Sequence, residues 1–349
     1  MYADMTKPTA SSLHDTCVLC TKLANMRVVA LGGGSGLPVV LRSLKDRLFP
    51  FSSQSLNNYE RERLTAIVTV TDDGGSSGRL RSDFNMLPPG DIRNCLSALA
   101  EDDAPFSDLF QYRFEKGNGL NGHSLGNLLL AALTHLKGNF TGAVESCSEI
   151  MKVKGRILPF TSENIVLGAK FRDGLAIKGE TFIAGHRGSI ELVYLIPAHP
   201  APLPQAIEAI EKADAIIIGP GSLYTSVIPN LLVKEIASAI KRSDAKKIYI
   251  CNLMTEPGET DGFTAADHIK AVFDHTEYGF FRHVVVNNGK ISQDVCSNYA
   301  GHECHPVQYD ADEMRELGVT SIAVDLVSEE GNKVRHDHDK LGRILTEIL

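Results

Sequence analysis

The chain has 349 residues, enough for one large α/β domain or two ordinary ones, and 43% hydrophobic with 22% charged residues supports a sizeable core. A formal net charge of −8 with no block of basic residues argues against a nucleic-acid surface. The densest apolar run, residues 128–133, falls far short of the roughly 18 residues of a membrane span, and no apolar segment near the start reads as a secretory signal, so a cytoplasmic location is expected.

Residues 1–26 mix Ser, Thr, Pro and charge without periodicity, which predicts a disordered leader ahead of a single α/β domain over 27–349. Cys17 and Cys20 form a lone C-x-x-C in that leader. With no second pair to complete a zinc site, free thiols are the expected state.

Arg27-Val28-Val29-Ala30-Leu31 predicts a short buried strand running straight into Gly32-Gly33-Gly34-Ser35-Gly36-Leu37-Pro38 and a helix to about Lys45. A strand, a glycine turn and a helix start place a phosphate on backbone N–H groups. The spacing is not the dinucleotide fingerprint, because Leu37 stands where the third glycine belongs and residues 50–58 hold no acid. A plain NAD oxidoreductase is therefore disfavoured. Residues 46–63 read as an inserted loop or a lengthened helix end.

The second strand, Leu64 to Val70, leaves into Thr71-Asp72-Asp73-Gly74-Gly75-Ser76-Ser77-Gly78-Arg79. Paired carboxylates beside glycines, hydroxyls and an arginine suit a ribose, a divalent ion or a phosphate better than a packed core. Pro88-Pro89-Gly90-Asp91-Ile92-Arg93-Asn94 breaks the chain, and Asp91 is placed to cap a helix that carries Arg93 and Asn94 in its first turn. Gly122-His123-Ser124-Leu125-Gly126-Asn127 opens a nearly all-apolar helix, with His123 either a core hydrogen-bonder or a ligand contact.

From 153 to 196 the pattern turns to short alternating runs with glycine turns, predicting an antiparallel β insertion. The α/β rhythm then returns. The strand Ala215 to Ile218 ends in Gly219-Pro220-Gly221-Ser222-Leu223-Tyr224-Thr225-Ser226, a second glycine turn with three hydroxyls and a tyrosine able to stack on a ring. A third unit ends in Asn252-Leu253-Met254-Thr255 and Gly258-Glu259-Thr260, where Asn252 and Thr260 can meet a base or sugar and Glu256 and Glu259 read as solvated loop acids. The His/Asp alternation within residues 333–338 reads as a solvated helix start rather than a metal cluster. Polar loops thus leave several strand ends on one edge of a doubly wound, mostly parallel sheet.

In that order these motifs closely resemble the YvcK-type gluconeogenesis factors of the CofD-like group, over about residues 27–345. The resemblance implies a Rossmann-like core that binds UDP-N-acetylglucosamine or another UDP-sugar. It further implies regulation of carbon use and cell shape during gluconeogenic growth, with an unidentified regulatory protein partner and a homo-oligomer. It also implies a place in the nucleotide-sugar site for Arg335, which falls at an arginine-histidine pair of family members. The rival reading implied by the CofD side is a magnesium-dependent 2-phospho-L-lactate transferase acting on a deazaflavin, with Asp72 and Asp73 as metal ligands or catalytic groups.

The expected site therefore has Gly33, Gly34, Ser35 and Gly36 with Gly219, Gly221 and Ser222 around a diphosphate, neutralised by Arg93 and Arg79. Asp72 or Asp73 would take ribose hydroxyls or magnesium, and Asn252 and Thr255 the base or sugar. Ser76, Ser77, Asp91, Asn94, His123, Asn127, Thr225, Ser226 and Arg335 complete the candidate set.

Overall fold

The computed structural model describes Leu23, residues 25–50, 56–101, 106–300 and 303–329, Gly331 and residues 333–349. The leader with Cys17 and Cys20 lies outside the described residues, as does 51–55 of the 46–63 stretch.

Strands β1 (Val28–Gly32), β2 (Leu64–Val68) and β7 (Ala215–Ile218) are buried at every position. Unbroken apolar runs of this kind belong to the centre of a parallel sheet covered on both faces. With β3 (Arg156–Pro159), β8 (Lys246–Ile250), β9 (His283–Asn287) and β10 (Thr320–Val324) they form a seven-stranded parallel sheet ordered β10-β9-β8-β7-β1-β2-β3. The chain builds outward from β1 to one side, then crosses over and builds outward from β7 to the other. Direction therefore reverses between β1 and β7, and the crevice beyond their carboxyl ends is where sheets of this kind bind ligands. Register reinforces this, since Val28 lies opposite both Leu64 and Ala215 and the central strands end in line.

Helices cover both faces. The Gly36–Leu48 helix turns Leu37, Val40, Leu41, Leu44 and Leu48 inward and packs between the Gly90–Leu99 helix and the final His338–Ile348 helix.

The stretch expected to be wholly an antiparallel insertion divides in two. Residues 156–159 are instead the edge strand of the main sheet, a place where the ladder tolerates Pro159 and the polar Arg156. The antiparallel sheet begins later, with β4 (Val166–Phe171), β5 (Ala176–Lys178) and β6 (Ile190–Ile196) in the order β5-β4-β6 and a short helix, Glu180–Gly185, between β5 and β6. Near the carboxyl end, β11 (Val327–Ser328) pairs antiparallel with β12 (Arg335–His336), a ladder too short for its pattern to show in sequence. Among the described residues no helix is long and apolar enough to cross a membrane.

Candidate functional site

The two glycine turns meet through their backbones. A Cβ added at Gly36 would lie 2.3 Å from the Pro220 carbonyl oxygen and 2.5 Å from its carbon. One added at Gly33 would meet Thr69 Cγ2 at 2.4 Å and Asp91 Oδ2 at 2.7 Å. Gly34 sits at φ +59 and Gly219 at φ +73, conformations that disfavour a side chain. Buried Asn230 ties the pair together, its Nδ2 donating to Gly32 O at 3.2 Å and Ser226 O at 2.9 Å. Asn252 clamps the second turn from the other side: Gly221 N donates to its Oδ1 at 3.2 Å and its Nδ2 donates to Gly221 O at 2.9 Å. Much of the hydrogen-bonding capacity expected to meet a base or sugar is thus spent on holding a loop. Asn252→Ala leaves both Gly221 backbone groups unpaired, and a loss of about 1–3 kcal/mol is expected in urea unfolding.

A cavity of about 600 Å³ opens over these turns at the β1/β7 crevice. Of the candidates read from the sequence, Ser35, Gly36, Asn94, Gly221, Ser222, Asn252, Thr255 and Arg335 line it. Thr255 is buried, its N–H donating to His305 O at 2.8 Å and its hydroxyl accepting from His305 N at 2.9 Å, so it fixes the facing segment as well as the wall. Thr260, expected at a base or sugar, is buried and accepts from Glu256 N at 2.8 Å. Sequence reasoning missed Arg42, Tyr299 and the wall position of His336. Arg42 is a helix residue with no motif around it, and Tyr299 comes from a helix far along the chain. Tyr224, the expected stacking ring, is instead buried edge-on against Phe263 and His275.

The remaining candidates gather beside the cavity, on the β1–β2 side. Asp91 is not a helix cap: the helix starts at Gly90 and the carboxylate accepts from Gly34 N at 2.7 Å, stapling the first glycine turn. Ser77 accepts from Gly90 N at 3.1 Å. Asn127 Nδ2 donates to Ser76 Oγ at 3.0 Å, and that oxygen is 2.9 Å from His123 Nδ1. Ser76 Oγ thus joins the Asn127 amide to the His123 ring in one buried hydrogen-bonded chain. Burial and the nearby Arg79 guanidinium push the His123 pKa down. Arg93 is buried and donates to Asn94 Oδ1 at 2.7 Å, so its link to the cavity runs through Asn94. Arg79 is exposed and donates to Asn121 O at 2.8 Å, away from the cavity wall.

The paired acids part company. Asp73 accepts from the Thr181 N–H at 2.9 Å and hydroxyl at 2.7 Å, binding the Glu180–Gly185 helix of the antiparallel insertion, while Asp72 accepts from Gly74 N at 2.9 Å. Glu180 accepts from the Thr71 hydroxyl at 3.0 Å. The two carboxylates thus turn to different partners, and among the described residues no group of three or more His, Cys, Asp or Glu side chains is arranged to hold a metal.

Thr225 and Ser226 are buried rather than at the cavity, in a π-helical turn over Leu223–Val227. Glu259, read as a solvated acid, is buried and accepts from Thr225 Oγ1 at 3.0 Å and Tyr224 N at 3.2 Å. Burial, with Glu256 nearby, raises its pKa to about 8, and burial raises Asp91 to about 6 against the opposing Gly34 hydrogen bond. A carboxyl that holds its proton more tightly folded than unfolded makes the native state bind more protons, so stability falls as pH rises from 4.5 through about 8. Glu259→Gln removes the titrating group while its carbonyl still accepts from Tyr224 N and its amide can donate to the Thr225 hydroxyl. It is expected to raise the melting temperature at pH 8 and to leave it nearly unchanged at pH 4.5, as differential scanning calorimetry would read.

With this geometry in hand, the relatives can be placed. The family model described as 2-phospho-L-lactate transferase CofD matches residues 28–327. A protein named gluconeogenesis factor from Halalkalibacterium halodurans is 47% identical over 320 residues, covering 92% of this chain and 95% of that protein. The gluconeogenesis factor of Bacillus subtilis (strain 168) is 44% identical over 323 residues, covering 93% and 98%. A crystal structure of a Bacillus halodurans protein superposes with a TM-score of 0.86 at 46% identity, covering 92% of this chain and 99% of that one. The parallel sheet, the touching glycine turns and these relatives agree: the chain belongs to the CofD family, among the gluconeogenesis factors.

Proposed function

We propose that this protein binds a nucleotide sugar, UDP-N-acetylglucosamine or another UDP-sugar, and acts as a regulator in gluconeogenic growth, carbon metabolism and cell-shape maintenance. The observation that carries the reading is the make-up of the cavity. The backbone turn at Ser35–Gly36, and Ser222 beside the Gly221 N–H that Asn252 already holds, offer polar groups to a diphosphate, and Arg42 and Arg335 are the cationic side chains of its wall. Its volume of about 600 Å³ lies in the range that small-molecule ligands fill. Occupancy would shift the population of loop conformers and so alter the surface offered to a regulatory protein partner or a second copy of the chain.

The description of the matching family model favours a second reading, transfer of a phosphate-linked group to an acceptor. A thermal-shift panel with UDP-N-acetylglucosamine, UDP-glucose, GDP and a deazaflavin, each with and without magnesium, separates the two. A ligand at about 100 times its dissociation constant adds roughly 2.7 kcal/mol. Stabilisation by UDP-sugars alone, with the ligand recovered intact, supports the regulator; a magnesium-dependent response to GDP with product formed supports the transferase.

A further inference from the structure

A second cavity, of about 470 Å³, lies at the far ends of two helices whose first turns hold Ser76 and Asn127. The Gly75–Phe84 helix closes there at Asn85, at φ +49, and the Leu125–Lys137 helix closes there at Gly138. It shares no lining residue with the β1/β7 cavity. Apart from the His135 ring its wall carries no titratable side chain: Asp83 and Glu163 adjoin wall residues in the chain but do not line it. Buried Met86, Leu87 and Phe140 supply apolar surface, and Phe84, 63% exposed, stands uncovered beside them. Some of the polar groups belong to the helices, Thr134 donating to Leu130 O at 2.7 Å and Asn139 Oδ1 accepting from Gly142 N at 2.7 Å. Others are open to a ligand. Asn164 Nδ2 donates to Asn85 Oδ1 at 2.8 Å, which leaves the Asn164 carbonyl as an acceptor and the Asn85 amide as a donor. The Thr141 and Ser162 hydroxyls bond no other group among the described residues, and each can both donate and accept.

We propose that this cavity is a binding site for a neutral saccharide, separate from the β1/β7 cavity and independent of what that cavity holds. A wall without lysine, arginine, aspartate or glutamate gives an ionised ligand nothing to offset the loss of its hydration. A wholly apolar ligand would cover the open amide and hydroxyl groups and leave them unpaired. An extended peptide would need a free strand edge for its backbone, and no strand residue lines the cavity. A pyranose ring meets both demands of the wall. Its C–H groups, polarised by the attached oxygens, pack on the negative face of an aromatic ring, here Phe84. Its hydroxyls donate and accept in turn, as the side chains of Asn85, Thr141, Ser162 and Asn164 require. The volume lies in the range that small molecules fill.

Saturation-transfer NMR titrations of the full chain with maltose, cellobiose and N,N′-diacetylchitobiose test this. At least one of the three is expected to bind the wild-type protein, with its ring C–H protons receiving the strongest transfer. Phe84→Ala is expected to weaken that binding by about tenfold, the loss of an aromatic face, and Phe84→Tyr to keep it. Asn164→Ala, which removes an acceptor and frees Asn85, is expected to weaken it by about fivefold. Inorganic phosphate at the same concentration is expected to leave the saccharide bound. A wild-type protein that binds none of the three saccharides, displacement of the saccharide by phosphate, or unchanged saccharide affinity in a Phe84→Ala protein with wild-type melting temperature overturns the assignment. Saccharide binding that is lost in Arg335→Ala and kept in Phe84→Ala places the sugar in the β1/β7 cavity and overturns it too.

Discussion

Replacing Gly36 by alanine is expected to lower stability by about 1–3 kcal/mol, the usual cost of forcing a methyl into a packed contact, and to weaken ligand binding with it. The obstacle is backbone, not a side chain that can swing aside: the new Cβ would lie within 2.5 Å of both the carbonyl carbon and oxygen of Pro220. Relief comes only by parting the turn after β1 from the turn after β7, and those turns are the floor of the cavity. The same movement would strain the Asn230 bonds to Gly32 O and Ser226 O and the Asn252 clamp on Gly221. Urea unfolding followed by circular dichroism measures the stability loss. Gly185→Ala is the control, since a Cβ there has no neighbour within 4 Å, and it should stay within about 0.5 kcal/mol of wild type. Equal midpoints for the two variants would mean that the turns do not bear on each other as the structure shows.

The second large effect falls on affinity. Arg335→Ala is expected to lose about 1.5–3 kcal/mol of nucleotide-sugar binding, the worth of a hydrogen bond to a charged group. Arg42→Ala should lose a similar amount, because both guanidiniums line the cavity. Arg79→Ala should change affinity little, since that exposed side chain is engaged with Asn121 O outside the wall. The sequence alone pointed to Arg93 and Arg79 for the diphosphate and did not mark Arg42, because Arg79 follows a glycine-rich loop and Arg42 stands in an ordinary helix. Isothermal titration of the three variants decides it. A large loss in Arg79→Ala with none in Arg42→Ala or Arg335→Ala would move the anion to the Asp72–His123 side.

What was legible in the sequence follows from period and punctuation. The buried strands β1, β2 and β7 are continuous apolar runs, and each ends at glycines or paired acids, so the sheet and its loop-bearing edge were readable. Fold-level order let Gly36 and Gly221 be placed together. The division between cavity and flanking cluster was not readable, because it depends on which way side chains point once the loops are folded. Asp72 and Asp73 are adjacent in sequence, yet one bonds Gly74 N and the other reaches Thr181 of the antiparallel insertion. Glu259 looked solvated because an acid in a polar loop usually is, and only the partners Thr225 and Tyr224 reveal its burial. Tyr224, expected at the ligand, is buried and Tyr299, which no motif marks, lines the cavity, because neither local pattern states which ring ends in the core. Arg156–Pro159 reads locally like the strands that follow it, and only its parallel pairing with β2 assigns it to the main sheet.

The most direct test of the account is a crystal structure of the protein grown with UDP-N-acetylglucosamine. The account predicts diphosphate density over Ser35–Gly36 and Gly221–Ser222, within hydrogen-bond reach of Arg42 or Arg335. Ligand density instead among Asp72, Ser76, His123 and Asn127, with the β1/β7 cavity holding only solvent, would contradict it.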